Sequence, residues 1–222
     1  AAWGAAPARA DVPADIRARG VLRVVTLNSP TSWYLGTHGP EGLEYELTAA
    51  FARSRKLKLE MWAAADAAAL RDTLRAGLAD IAAAQLTATA SWQGVGIACT
   101  PYDEIPQHWV YRRGEPRPRT LADIIAARVI VAEDSPEAEV LDLHGASLSK
   151  DLQWLAMPRG AEMEPLDAVS DGIADVALVD AYRFVFARAL HPDMTVAFSL
   201  PVRRPVAWVV RADAAALRAE VD

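Results

Sequence analysis

Three short polar stretches carry the residue types from which a small-molecule site is built. Thr87-Ala88-Thr89 follows the apolar run that starts at Asp80, and its two hydroxyls and neighbouring backbone amides can hold a polar or anionic group. A plain Ser/Thr turn that satisfies its own backbone is the alternative. Asp134-Ser135-Pro136 follows the β-branched run Arg128 to Ala132, and serine before proline fits a helix N-cap with proline as first residue. Such a start leaves backbone amides for an anion, or is an ordinary cap. Asp180 ends the apolar run Asp175 to Val179, where its carboxylate can pair with a ligand ammonium or cap the helix expected over Ala181 to Leu190. Trp33 and Tyr34 add two large aromatics in a loop after a strand, which suits a ligand platform or a lid over core.

Chemistry of other kinds finds little support. There is no glycine-rich phosphate loop, paired-histidine zinc motif or nucleophile elbow, and no carboxylate pair spaced for acid and base work. No catalytic residue, metal site or cofactor is expected. His38, His108, His144 and His191 are scattered and read as surface or core residues. The single cysteine, Cys99, excludes an internal disulfide and reads as a small buried apolar side chain. With a formal net charge of -6 and basic residues gathered only at Arg112 to Arg119 and Arg203-Arg204, nucleic-acid binding is unsupported.

The elements that must position these groups alternate. Val21 to Thr26 reads as a strand, and from Glu41 a helix carries Leu43, Leu47, Ala50, Phe51 and Ser54 on one face. Leu57 to Trp62 alternates as a strand, Asp66 caps a helix with Leu70, Leu74 and Leu78 on one face, and Gly77 stops it. Asp80 to Ala84 is then a strand covered on both sides. The order predicts a largely parallel sheet flanked by helices, which binds ligands beyond the carboxyl ends of its strands. After Pro101-Tyr102 a second set follows: strands at 107–112, 128–132, 152–157, 175–179, 195–198 and 206–211, with helices opened by Thr120, Ser135, Glu164 and Asp180. The first 19 residues, Ala- and Pro-rich with the small-residue pattern Ala8-Arg9-Ala10, read as a flexible leader and are compatible with export. The 52% hydrophobic content over 222 residues supports a sizeable core, and no run is long enough to span a membrane.

The element order, together with GLEYELTAAFA at 42–52, GLADIAAAQLTATASWQGVGIACTPY at 77–102, RVIVAEDS at 128–135 and GIADVALVD at 172–180, resembles the family 3 periplasmic solute-binding proteins over residues 20 to 222. NSPTSWYLGTHGPEGLEYELTAAFA, YRRGEPRPRTLADI and LPVRRPVAWVV are similar to the non-catalytic solute-binding domain of the membrane-bound lytic transglycosylase F family. The resemblance implies an α/β, two-lobed type II periplasmic-binding-protein fold, each lobe a mainly parallel sheet flanked by helices. It places lobe 1 at 20–102 plus 206–222, lobe 2 at 107–199, and hinge connectors at 102–106 and 200–205, with closure about them on ligand. It implies a periplasmic monomer that senses an amino acid or a cell-wall peptide and regulates a lytic transglycosylase domain beyond Asp222. A free-standing receptor of an amino-acid transporter and a non-binding interaction module are the other expectations.

The resemblance also assigns residues. Thr87 and Thr89 match the turn that holds the ligand carboxylate, Ser135 the second-lobe hydroxyl that meets it, with Asp134 where glycine is usual, and Asp180 the acid that takes the ligand amine. Trp92 stands where the family has a carboxylate-clamping arginine, and Ala63 to Ala65 where an aromatic is expected, a place that Trp33 or Tyr34 would fill. An arginine fork gives charge-assisted bonds of about 1.5–3 kcal/mol each, an indole one neutral donor. Ordinary free amino acids should therefore bind at least tens of times more weakly than in the family at large, unless another arginine reaches in.

Overall fold

The computed structural model describes residues 12–158 and 163–222, so most of the expected leader, residues 1–11, lies outside the described residues. The remainder of that stretch is folded: Val12 and Ile16 are buried in the core, four residues apart on the short helix α1 and its approach. The chain divides into two units. One is formed by the chain up to Asp103 together with Val206–Asp222, the other by Glu104–Pro205.

The first unit contains, in order, α1 (Ala14–Arg19), β1 (Val21–Leu27), β2 (Tyr34–Gly36), β3 (Gly39–Glu41), α2 (Leu43–Ser54), β4 (Lys58–Ala64), α3 (Ala67–Arg75), β5 (Ile81–Leu86), a 3-10 turn at Ala90–Trp92 and β6 (Gly96–Ala98). The second contains β7 (Asp103–Arg112), which begins at the boundary, then α4 (Leu121–Ile125), β8 (Val129–Ala132), α5 (Pro136–Leu148), β9 (Leu155–Met157), α6 (Pro165–Ser170), β10 (Val176–Asp180) and α7 (Ala181–Ala187). Strand β11 (Met194–Arg211) passes from the second unit to the first, which α8 (Ala215–Val221) completes.

In the first unit the sheet order is β4-β1-β5-β11, with β4, β1 and β5 parallel and β11 antiparallel to β5. Both faces are covered. Val24, Ile81, Ala83 and Val210 face the side of α1 and α8, while Val25, Ala82, Ala84 and Val209 face that of α3. That explains the unbroken apolar run of β5. Asp66 caps α3 by accepting from the Ala69 amide, and Gly77, at φ +68, supplies the left-handed residue after it. Because α3 ends at Arg75, Leu78 falls outside the helical face predicted for it and is 58% exposed.

Helix α2 forms where expected, but with another face inward. Leu43 and Leu47 are exposed, and Glu44, Thr48, Ala49 and Ala52 are buried. Glu44 is fully buried because donors from three other elements converge on it. Its Oε1 accepts from the Gln85 amide at 2.5 Å and the Tyr102 hydroxyl at 2.5 Å, and its Oε2 from Trp208 Nε1 at 2.7 Å. Thr48 is accommodated by donating its hydroxyl to the Glu44 carbonyl at 2.7 Å. Gln85 has φ +52, and the β5–β11 register shifts there, Ala207 facing Leu86 while Val209 faces Ala82. The carboxylate thus sits on a β-bulge, binding Gln85 on one strand and Trp208 on the other.

In the second unit the order is β11-β7-β10-β8-β9, with β10, β8 and β9 parallel and β7 antiparallel to β10. Trp109, Val131 and Leu178 pack with Leu141 of α5, and Val110, Ile130 and Ala177 with Leu166 of α6. Thr120 and Asp123 close a capping box on α4. The connectors expected at 102–106 and 200–205 are strand: β7 starts at Asp103, and β11 runs unbroken where two strands were predicted. Both stretches contain proline. Pro106 lies just past Gln107, the last residue paired to β10, and Pro201 lies on a strand at the edge of this unit's sheet.

Two measurements follow from this packing. Glu44→Ala leaves two buried donors, the Gln85 amide and Trp208 Nε1, and the Tyr102 hydroxyl without this acceptor, and should lower the urea unfolding free energy by about 3 kcal/mol or more, with Glu44→Gln losing less because one acceptor oxygen survives. Equal effects of the two would contradict the described bonding. Burial, with Asp222 close by, pushes the Cys99 thiol up to about 12. The thiol should ignore a thiol reagent at pH 8 until the chain is unfolded. Its ordinary value being near 8.5, the unfolded state ionises first, so stability should fall as pH rises from about 9 towards 12.

Candidate functional site

Parallel pairing sets the carboxyl ends of β1 and β5 at one edge of the first unit's sheet, so the segments after them, Asn28 to Trp33 and Thr87 to Trp92, lie at that edge. The first segment is held against the start of α2. The Ser32 carbonyl accepts from the Tyr45 amide at 3.2 Å, and Gly42 at φ +125 lets it approach, since a Cβ there would come within 2.4 Å of that oxygen. Trp33 lies in this segment with its indole nitrogen buried and unpartnered among the described residues. Tyr34 instead opens the β2–β3 hairpin and donates its hydroxyl to Glu41 at 2.7 Å, and that carboxylate pushes the phenol pKa up.

The threonine turn is fixed from inside. The Thr87 carbonyl accepts from the Thr89 amide at 3.0 Å and from Trp92 Nε1 at 3.1 Å, and the Trp92 amide donates to the Thr89 carbonyl at 3.2 Å. The Thr89 hydroxyl lies 2.7 Å from that of Ser91. Trp92 itself is buried with Leu70, Leu74 and Val95. The residue in the arginine's place is therefore a core side chain whose one donor binds the turn.

In the second unit the same rule places Ser135, after β8, and Asp180, at the end of the adjacent parallel strand β10, at one edge. Both cap helices. Ser135 Oγ accepts from the Ala138 amide at 3.1 Å, with Pro136 as first helical residue, and Asp180 Oδ1 accepts from the Arg183 amide at 2.8 Å. Asp134, where the family has glycine, adopts φ +54, a conformation that aspartate tolerates better than most residues. Asp180 is 1% exposed and does not stand alone. Its amide donates to Glu137 Oε1 at 3.1 Å, Arg183 Nη1 donates to Glu137 Oε2 at 3.0 Å, and Arg204 Nη2 lies 3.5 Å from Asp180 Oδ2. Burial first, and the Glu137 charge second, push the Asp180 carboxyl above its ordinary range. The buried side chain of Gln107, which faces Asp180 across the ladder, donates to the Ile105 carbonyl, and its oxygen has no partner among the described residues.

Within the first unit, then, the structure brings Trp33 and the Thr87–Thr89 turn to one sheet edge, with Trp92 beneath the turn and Tyr34 drawn into a hairpin. Within the second it brings Ser135 and Asp180 to one edge. Glu44, Glu137 and Arg204 went unmarked in the sequence. A glutamate on an apolar-spaced helix reads as solvated, and Arg203-Arg204 as a surface connector, whereas Arg204 is 2% exposed. The one available signal for Glu137 was its place in the first turn after Ser135-Pro136, where a carboxylate meets the positive end of the helix. Among the described residues there is no group of side chains set to hold a metal ion, and no helix is long and apolar enough to cross a membrane.

Comparison with known proteins agrees with this architecture. Solved structures share the fold at low identity: an ancestral arginine-binding protein bound to arginine, at 20% identity and TM-score 0.73, covers 91% of this chain and is itself covered to 89%. A cysteine-binding protein from Campylobacter jejuni, at 17% and 0.72, covers 94% and is covered to 83%. The fold is the type II periplasmic binding-protein fold. Two curated relatives are membrane-bound lytic murein transglycosylases F, from Maricaulis maris at 38% identity over 200 residues and from Idiomarina loihiensis at 34% over 203. They match 89% and 91% of this chain, which spans only 43% and 44% of their own length. The family model for bacterial extracellular solute-binding proteins, family 3, matches residues 22–222, and the chain belongs to that family.

Proposed function

We propose that the chain is a periplasmic ligand-sensing domain of a longer peptidoglycan-cleaving enzyme, binding an amino-acid or muropeptide-like solute and regulating the lytic activity without catalytic residues of its own. The observation that carries the reading is the pairing of a solute-binding fold over nearly the whole chain with relatives more than twice its length that are lytic murein transglycosylases. The site geometry supports it. In each unit a hydroxyl-bearing turn lies at the carboxyl ends of parallel strands, where open α/β sheets take ligands, and Trp33 holds a buried donor still to be satisfied. A bound solute regulates by its difference in affinity between two states of the longer protein. The solved amino-acid-binding proteins, themselves covered to 83–95%, favour a second reading as a free-standing receptor.

Calorimetric titration of amino acids and soluble muropeptides should give measurable heat with at least one of them. Thr87→Val and Thr89→Val should each weaken that binding about tenfold, equivalent to one hydrogen bond of about 1.4 kcal/mol. Silence from every solute would remove the sensing role. This chain alone should release no soluble muropeptides from purified peptidoglycan, and turnover would overturn the division of labour proposed here. Gene sequence continuing past the codon for Asp222 into a lysozyme-like domain separates the sensing domain from the free-standing receptor.

A further inference from the structure

We infer that the second unit carries a further binding site, on the sheet edge opposite to Ser135 and Asp180, in which the Arg117 and Arg119 guanidiniums take the oxyanion of an organic carboxylate or phosphate ester. The site is a cavity of about 640 Å³ whose lining lies wholly within this unit. That volume falls within the range of about 300–1,000 Å³ usual for small-molecule sites. Arg128 precedes β8 and Asp175 precedes β10, so the cavity lies at the amino ends of the two parallel strands whose carboxyl ends lead to Ser135 and Asp180. One strand length, about 15 Å, separates the two edges. Part of the lining is apolar and packed into the core, with Val169 and Val176 each 1% exposed.

The bonding sets two of the lining arginines apart from the others. Arg112 donates to Glu115 at 2.8 Å and Arg128 to Asp175 at 2.6 Å, so each of these guanidiniums has a carboxylate of its own. Arg117 has none: its Nε and Nη2 both donate to a neutral acceptor, the Ala197 carbonyl, at 3.2 and 2.6 Å. That contact fixes the guanidinium without neutralising it, and leaves both N–H groups of Nη1 unused among the described residues. The Arg119 guanidinium makes no hydrogen bond among the described residues. Asp123, the carboxylate on which it acts, already accepts from the Arg119 and Thr120 amides and the Thr120 hydroxyl. Pro116 and Pro118 bring the two arginines together. Proline fixes its own φ and keeps the residue before it out of the helical region, so this stretch is extended, and residues two apart in an extended chain face one way. A guanidinium fork matches the paired oxygens of a carboxylate or phosphate, with charge-assisted bonds about twice as strong as neutral ones. A bare inorganic ion would leave the apolar lining in water, and an organic body covers it.

The test is calorimetry of this chain with phenyl phosphate, inorganic phosphate, N-acetyl-L-alanyl-L-glutamate and the uncharged diamide of that peptide. At least one of the two organic oxyanions should bind, at least about tenfold more tightly than inorganic phosphate or the diamide, and the tighter of the two identifies the source of the oxyanion. Arg117→Gln and Arg119→Gln should each weaken that binding about tenfold. A readout without substitution locates the ligand: the bound probe should slow phenylglyoxal modification of Arg117 and Arg119, followed by peptide mass spectrometry, and not that of the exposed Arg53 of the first unit. Undiminished binding by both variants, or modification at an unchanged rate, puts the anion elsewhere and overturns the assignment. Heat from no probe, or equal binding of the diamide or of inorganic phosphate, overturns it too. None of these results touches the solute-binding reading, which the Thr87 and Thr89 variants test separately.

Discussion

The first unit depends on one buried carboxylate. Glu44 holds together the start of α2, the bulge in β5, the end of the crossing segment at Tyr102 and the Trp208 side chain of β11. A buried donor left unbonded costs about 1–3 kcal/mol. The left-handed Gln85 is costly by itself, by about 1–2 kcal/mol for a residue with a Cβ. The short bond from its amide to Glu44 offsets that cost. Since the chain turns from the bulge directly into Thr87, the candidate site inherits its position from a side chain that would touch no ligand.

The same residue shows why the inward face of α2 was misread while its existence was not. That a helix forms follows from spacing, which is local: it was expected from Glu41 and runs over Leu43–Ser54. Which face turns inward depends on what waits on the other side. Here an array of donors waited, and it drew in Glu44 ahead of Leu43 and Leu47, while Thr48 one turn on is buried by donating to the helix's own carbonyls. The strand character of 103–106 and 200–205 was missed for a related reason: pairing is not visible in the sequence of one strand. The caps at Asp66, Thr120, Ser135 and Asp180 were legible because each is completed within three residues.

The candidate site was legible in position and not in charge. Buried strands followed by short polar turns mark where a parallel sheet presents its carboxyl ends, and that places Thr87, Ser135 and Asp180 without any contact being known. Whether Asp180 acts as an acceptor for a ligand depends on groups distant in sequence, Glu137 at 43 positions and Arg204 at 24. A family role transferred by motif carries over the side chain but not its countercharge. Trp92, expected by resemblance where a ligand-clamping arginine stands, is a parallel case, since its indole donates to the Thr87 carbonyl.

Trp92 and Arg204 are each engaged within their own unit. The indole of Trp92 donates to the Thr87 carbonyl, and the Arg204 guanidinium lies 3.5 Å from the buried carboxylate of Asp180. Dehydrating a charge is repaid only where a fixed countercharge stands beside it, so the burial of Asp180 and that of Arg204 depend on one another.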